Sequence, residues 1–185
     1  MLKLYKKENE TISYAECWID EDENIATIHT GIIGTTGCTK EIPCDDEAAF
    51  LADFRSKYTR QGYSEWPEEE QIWLVLQWPM TTLEGNKYNR GIRDKATELL
   101  DELLGWNGLG HVDGFDMGRT ANPKEEFALN IFCLVVDKEN SLKCILDTLP
   151  KQLDCSRLKI ATRAENDDDY TLEYCTKSTE HWFYI

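Results

Sequence analysis

The chain of 185 residues carries 20 Lys and Arg against 35 Asp and Glu, a net charge of −15, with 41% hydrophobic residues and six Trp. This length suits one large or two small domains, and the apolar content excludes general intrinsic disorder. The longest apolar stretches, such as 131–136, are far shorter than the roughly 20 residues that span a bilayer, and the first residues lack a signal-peptide core. We therefore expect a cytoplasmic protein that does not associate with membranes.

Seven cysteines are scattered singly along the chain, at positions 17, 38, 44, 133, 144, 155 and 175. Their number is odd, no two form a Cys-x-x-Cys pair, and several occupy apolar strand or helix positions. This usage predicts reduced thiols, as in a reducing compartment.

The clearest domain boundary lies at Glu65-Trp-Pro-Glu-Glu-Glu70, where a proline ends any helix, three carboxylates repel one another and an apolar run follows. We expect a first domain over residues 1–66 and a second over 67–185. The first carries 7 basic and 13 acidic residues and the second 13 and 22. Both are acidic, which opposes binding to nucleic acid or anionic lipid because phosphate binding depends on Lys and Arg.

The first piece is predicted to be a small sheet with one packed helix. β-Branched residues and intervening turns predict a meander of four strands, over residues 2–7, 13–20, 25–33 and 38–42. Asp45 or Asp46 can cap a helix that ends near Gly62. Its apolar residues recur at helical spacing: Phe50, Leu51, Phe54 and Tyr58.

Four segments of this first piece resemble a WGR domain over about residues 1–64. They are Ala15-Glu-Cys-Trp-Ile-Asp20, Thr30-Gly-Ile-Ile-Gly34, Gly37-Cys-Thr-Lys40 and the helix closing on Gly62-Tyr63. The resemblance implies a module that binds nucleic acid or neighbouring domains, through a motif that includes Trp18, Gly31, Gly34, Gly37 and Lys40. The Trp-Gly-Arg triplet falls on Thr30-Gly31-Ile32, so only the glycine is retained. The missing arginine is the residue expected to contact phosphate, and the alternative interpretation is that the glycines serve turns and bulges and that Lys40 is a solvated charge.

The second piece shows the order β-α-β-β-α-β. Strands are predicted at 71–78, 111–115, 127–136 and 157–163. Helices are predicted at about 88–104, with Gly105 as the residue after the helix, and from a cap at Asp137 to Pro150. This order is typical of ferredoxin-like folds, in which two helices cover one face of an antiparallel sheet. The tail, 170–174 and 181–185, is expected to add edge strands or to dock on the sheet.

The second piece also resembles small ferredoxin-like proteins found beside bacterial polymorphic toxins, where they act as immunity proteins. The resemblance lies in a helix ending in Leu-Gly, the run GLGHVDGFDMG at 108–118, a strand ending in Asp and a capped helix. It implies a protein-binding role, although fold analogy identifies no site.

Three side chains form the only compact metal-capable cluster in the sequence: His111, Asp113 and Asp116. A spacing of two residues would place His111 and Asp113 on one strand face, with Asp116 reached through Gly114. The alternative is a glycine-rich turn whose carboxylates cap backbone amides. We predict no metal, no cofactor and no catalytic residue here.

Two acidic runs and a group of tryptophans are the remaining candidates for binding. The carboxylates Glu68, Glu69 and Glu70, and Asp167, Asp168 and Asp169, are either solvated or steer a basic partner. Trp66, Trp73 and Trp78 lie near the boundary and Trp182 lies in the tail, for packing or as an anchor for a partner.

The sequence as a whole predicts an α+β protein that is not an enzyme. We expect a protein-binding module of the immunity type, whose acidic surface engages a basic toxin. The alternatives are a nucleic-acid-associated accessory protein that uses the WGR-like piece, and an enzyme that uses the loop from His111 to Asp116. The sequence does not specify the oligomeric state.

Overall fold

The computed structural model describes residues 1–122, 127–176 and 183–185. Within these ranges the protein is α+β, with two antiparallel sheets and three α-helices. The chain divides into two compact units. The first unit is Met1–Pro67 together with Trp106–Gly108, and the second is Glu68–Gly105 with Leu109–Ile185.

The first unit is a four-stranded meander with one helix, which confirms the predicted sheet and helix. Its strands lie in the order β1-β2-β3-β4, and the elements are β1 (Leu2–Glu8), β2 (Thr11–Asp20), β3 (Ile25–Ile32), β4 (Cys38–Pro43) and α1 (Glu47–Thr59). Asn24 turns the chain between β2 and β3 with a φ of 53°. Asp46 caps α1, because its side chain accepts a hydrogen bond from the Ala49 amide.

One face of this sheet packs on α1. Phe54 and Tyr58 of the helix form a buried cluster with three strand residues, Leu4, Ala15 and Cys17. Side chains alternate between faces along a strand, so the neighbours of these residues point to the opposite side. We call that opposite side the Tyr14 face; its rows of cross-strand partners are Tyr14 with Gly31, Glu16 with His29 and Thr39, Trp18 with Thr27 and Glu41, and Asp20 with Ile25.

The second unit has a five-stranded sheet in the order β6-β7-β5-β8-β9. Every adjacent pair is antiparallel, so β5 and β6 are parallel across β7, as in the predicted split β-α-β arrangement. The strand β9 adds an edge to it. The elements are β5 (Ile72–Met80), α2 (Lys87–Trp106), β6 (Gly110–Arg119), β7 (Phe127–Val135), α3 (Lys138–Thr148), β8 (Lys159–Ala164) and β9 (Thr171–Cys175).

Both helices of this unit lie on the same face of its sheet. Trp78 of β5 lines a cavity of about 110 Å³ with Ile92 of α2. Lys138 of α3 donates to Glu173, which also accepts from the Thr162 hydroxyl of β8. The Thr162 side chain lies on the Trp78 side because Thr162 pairs with Leu74, four residues before Trp78.

The helix α2 ends later than its sequence predicts. We expected Gly105 to follow the helix, but α2 continues through it to Trp106. The residue with a left-handed backbone is Gly108, at a φ of 64°. The Leu109 amide then donates to the Leu104 carbonyl at 2.8 Å, the six-residue bond that closes a Schellman motif.

Part of the predicted tail lies outside the described residues. His181 and Trp182 belong to the range 177–182, so the tail segment at 181–185, expected to add an edge strand or to dock on the sheet, is described only at its last three residues. No helix in the described part of the chain is long and apolar enough to cross a membrane.

Candidate functional site

A row of polar side chains is buried on the Tyr14 face of the first unit. Tyr14 and His29 have no exposed surface, and Glu16 is 4% exposed. Such groups are costly to bury unless each is hydrogen-bonded. The sheet register brings them together, because Glu16 and His29 are cross-strand partners and Tyr14 lies two residues before Glu16 on the same face.

His29 bridges a carboxylate and a backbone carbonyl. Its Nδ1 lies 2.7 Å from Glu16 Oε1, and its Nε2 lies 2.7 Å from the Thr36 carbonyl oxygen. Both partners are acceptors, so each contact is a hydrogen bond when the corresponding nitrogen carries a proton. The ring therefore lies between β2 and the turn before β4, within hydrogen-bonding distance of both.

Lys3 completes the row from β1. Its Nζ lies 2.9 Å from Glu16 Oε2, so the carboxylate is paired on both oxygens. Pairing of this kind offsets part of the cost of removing the charge from water.

The Tyr14 hydroxyl lies at the centre of several polar groups. It is 2.9 Å from His29 Nε2, 3.1 Å from the Thr35 carbonyl oxygen and 3.3 Å from the Trp106 carbonyl oxygen. Burial, followed by the nearby Glu16 carboxylate, raises the pKa of Tyr14 to about 12. Tyr14 is therefore a neutral hydrogen-bonding group whose single hydroxyl proton is shared between the Thr35 and Trp106 carbonyls.

Three glycines make room for the Tyr14 side chain. A Cβ on Gly31 or Gly37 would lie 2.8 or 2.4 Å from the Tyr14 hydroxyl oxygen. A Cβ on Gly108 would lie 2.2 Å from the ring. All three distances are shorter than a van der Waals contact, so the sequence needs glycine at these positions to surround the ring with backbone.

Trp106 is exposed although it is held in place. Its ring lies edge-on to Trp18, with centroids 6.1 Å apart, and near His29 at 5.0 Å. Its carbonyl oxygen accepts from Tyr14, yet 43% of the residue is exposed. A fixed and exposed aromatic ring is typical of an anchor for a partner.

Next to Trp106 lies an acidic cleft of about 620 Å³, a volume typical of ligand sites. It occupies the part of the Tyr14 face that carries Trp18, Thr27 and Ile25. Its aromatic lining is Trp18 and Trp106. Its carboxylate lining comes from the end of β2, the following turn and β4: Asp20, Glu21, Asp22, Glu23 and Glu41. We call these five residues the carboxylate rim.

The structure brings Trp18, Gly31 and Gly37 of the predicted motif to the Tyr14 face and leaves Lys40 on the opposite side of the sheet. Gly31 packs on Tyr14, and Gly34 and Gly37 have φ of 78° and 58° in the turn before β4. Trp18 lines the cleft. Lys40 is exposed on β4 and alternates away from the Tyr14 face.

The cluster predicted in the second unit is spread along a strand. His111, Asp113 and Asp116 lie on β6, which is a strand of ten residues and not a glycine-rich loop. A β-bulge between Val112 and Gly114 changes the alternation at Asp113. His111 and Asp116 consequently lie on the same face of the sheet, with Gly114 between them on that face.

Asp116 has a structural partner. It accepts a hydrogen bond from Asn130 Nδ2 at 2.8 Å, and Asn130 Oδ1 accepts from Gln77 Nε2. Gln77 also donates to the Tyr184 carbonyl at 2.7 Å, which ties the end of the chain to this sheet face. Among the residues that the structure describes, no three His, Cys, Asp or Glu side chains are grouped to hold a metal ion.

The two predicted acidic runs are exposed. Glu68–Glu70 form a single 3₁₀ turn before β5. Asp167–Asp169 lie between β8 and β9, where the Asp167 carbonyl accepts from Arg163.

The predicted boundary tryptophans have separate surroundings. Trp66 lies edge-on to Tyr5 at 5.5 Å in the first unit. In the second unit, Trp73 Nε1 donates to Glu165 and Trp78 Nε1 to the Asp154 carbonyl. Trp182 lies outside the described residues.

Of the residues in the buried row and the cleft, only Trp18 is among the predicted site residues. The available signal was the alternation of Tyr14, Glu16, Trp18 and Asp20, which places four polar or aromatic residues on one strand face. Trp106 carried no such signal, because it reaches this face from a distant part of the chain.

Comparison with protein-family models, with curated proteins and with solved structures gives no match for this chain.

Proposed function

We propose that this chain is a non-enzymatic, cytoplasmic protein-binding module of the immunity type, which neutralises a basic bacterial toxin by occupying its surface. The observation that carries this proposal is the cleft beside Trp106, where an exposed aromatic ring lies among the five side chains of the carboxylate rim. Interfaces are commonly anchored by aromatic residues at their centre and oriented by complementary charge.

The charge of the whole chain supports a basic partner. A net charge of −15 produces a negative potential that accelerates association with a positive surface and repels nucleic acid. Basic toxins such as nucleases need a positive surface to bind their own phosphate substrates. An acidic protein that covers this surface blocks the substrate without any chemistry of its own.

The buried row supports a structural role better than a catalytic one. Tyr14 and His29 have no exposed surface, so a substrate cannot reach them in this conformation. Their hydrogen bonds instead connect the strands and turns that support Trp106 and the cleft.

The resemblance of residues 1–64 to WGR domains supports a second role in assemblies with nucleic acid. In this chain Trp18 of the matching motif lines the same cleft as the carboxylate rim, and electrostatics favours a protein partner over DNA. We therefore place the WGR-like sheet in protein recognition.

Co-expression with the products of neighbouring genes tests the proposal. We expect one basic product to arrest growth alone, to be tolerated with this chain, and to form a one-to-one complex in calorimetry. Its affinity should fall between about 50 and about 200 mM salt because the contact is charged. A chain that binds duplex DNA at micromolar concentration, and none of these products, would contradict the proposal and favour the nucleic-acid role.

A further inference from the structure

We propose that the cleft of the first unit binds an arginine side chain of the basic partner, with the guanidinium group stacked on Trp106 and paired with the carboxylate rim. This inference rests on the proposed function and specifies the chemistry that the partner presents. It assigns the recognition step to one cleft rather than to the acidic surface in general.

The aromatic part of the cleft is preorganised. The Trp106 carbonyl accepts a hydrogen bond from the Tyr14 hydroxyl. The Trp106 ring packs edge-on against Trp18 and His29. Gly108 allows the chain to pass the Tyr14 ring directly after Trp106. A ring held in this way loses little conformational entropy on binding, and its exposed surface is available to a cation.

The electrostatic part of the cleft selects a positive group. Five of the lining residues are Asp or Glu, and none of the described lining residues is Lys, Arg or His. Carboxylates that line one cleft repel one another in the free protein, and a bound cation reduces that repulsion. The charge of the cleft is therefore complementary to one basic side chain and its basic neighbours.

The combination of aromatic and carboxylate groups favours arginine over lysine. A guanidinium group is planar, is weakly hydrated, stacks on indole and pairs with two carboxylate oxygens at once. An ammonium group holds its water more strongly and has no flat surface to stack. A cleft of about 620 Å³ accommodates the side chain together with its flanking backbone.

Two peptides of equal charge test this preference with the full chain. One is a capped, fluorescein-labelled peptide of alternating Gly and Arg, and the other has Lys in place of every Arg. We expect one-to-one binding in fluorescence anisotropy, with the Arg peptide bound roughly fivefold more tightly. In spectra of ¹⁵N-labelled Trp, the indole signal of Trp106 should shift more than that of Trp73.

Variants distinguish binding in the cleft from attraction to the overall negative charge of the chain. Trp106→Ala should lower the affinity for the Arg peptide roughly tenfold and remove the preference for Arg over Lys. Trp106→Phe should retain part of that preference. Glu21→Gln with Glu41→Gln should weaken both peptides. The matched control, Asp168→Asn with Asp169→Asn, removes the same charge from the second unit and should change binding less than twofold. Unfolding curves establish that each variant is folded.

Three outcomes would overturn the inference. The first is equal affinity for the two peptides, and the second is an unchanged affinity in Trp106→Ala. The third is an equal loss of affinity in the rim and control variants. Each would exclude an arginine-binding site at Trp106. Spermine that binds as tightly as the Arg peptide would instead make the cleft a polyamine site. If the neighbouring gene product still binds Trp106→Ala at full affinity, the proposed function stands and only the cleft assignment fails.

Discussion

A Cβ atom on Gly108 would lie 2.2 Å from Cδ1 of Tyr14, so the chain passes this aromatic ring at a residue that has no side chain. The same glycine ends α2 with a φ of 64°. Gly108 therefore ends α2 and also allows Trp106, two residues earlier, to lie beside Tyr14.

Gly108→Ala should destabilise the first unit strongly. The left-handed backbone and the contact with Tyr14 each oppose the added methyl group, and together they should cost roughly 2 to 4 kcal/mol of unfolding free energy. Urea unfolding followed by tryptophan fluorescence measures the change. Gly91→Ala is the matched control, because it lies on an exposed helix position with open space and should stabilise by about 0.5 to 1 kcal/mol. Equal effects would contradict the packing of Gly108 on Tyr14.

Glu16→Ala should lower the free energy of unfolding far more than the loss of an exposed carboxylate does. It leaves His29 without its partner on Nδ1 and Lys3 without its ion pair, and broken buried pairs cost on the order of 3 to 5 kcal/mol. Glu8→Ala breaks an exposed pair with Lys6 and should cost less than about 1 kcal/mol. Denaturant midpoints of the two variants make the comparison. A small loss for Glu16→Ala would show that the buried row is not stabilising.

Tyr88 controls the ionisation of Asp154 in the second unit. The Tyr88 hydroxyl donates to Asp154 at 2.5 Å, and this bond, helped by the Ser156 amide, lowers the pKa of Asp154 from 3.8 to about 2. The bond also raises the pKa of Tyr88 to about 12. A carboxyl group with a lowered folded-state pKa stabilises the fold above its unfolded-state pKa, and the contribution is lost as the pH falls from about 4 to about 2.

Tyr88→Phe should return the pKa of Asp154 towards its ordinary value, as measured by a carboxyl ¹³C titration. Both groups are exposed, so the associated loss of stability at neutral pH should stay below about 1 kcal/mol. Tyr170→Phe removes a hydroxyl elsewhere in this unit and should leave the Asp154 titration unchanged. An unaltered titration in Tyr88→Phe would exclude the hydrogen bond in solution.

The cysteines should react in the order of their exposure. All seven are free, Cys38 is exposed, and Cys17 and Cys133 are buried. Burial raises the pKa of Cys17 to about 11 and raises that of Cys133 further, so the reactive thiolate is scarce at both sites. Timed maleimide labelling with mass spectrometry should modify Cys38 first, and Cys17 and Cys133 only on unfolding. Early labelling of Cys17 would contradict the closed core beneath α1.

The elements of the fold were largely predictable because local signals and tertiary structure agree. Alternation identified the strands, and Asp46 and Asp137 cap α1 and α3 as their spacing indicates. The end of α2 was not predicted correctly, because Gly105 and Gly108 are both plausible ends and packing against Tyr14 decides between them. The extent of β6 was also underestimated, since three glycines obscure a strand that pairing with β7 stabilises.

The site was less predictable than the fold. The row of Lys3, Glu16 and His29 depends on the register between three strands, which sequence spacing alone does not specify. The cleft requires Trp106, a residue from the far end of α2, beside the turn at Asp20–Glu23. Sequence reasoning instead selected His111, Asp113 and Asp116 because they are neighbours along the chain.

The division of the first unit between residues 1–67 and Trp106–Gly108 has a consequence for biosynthesis. A nascent chain leaves the ribosome from its N-terminus, so β1 to β4 emerge well before the three residues that complete their unit. Until residue 108 has emerged, the Tyr14 hydroxyl lacks the Trp106 carbonyl and the carboxylate rim lacks its indole. A ribosome that pauses within α2 therefore holds a sheet whose cleft is still incomplete, and the cleft is complete only after more than half of the chain has been translated.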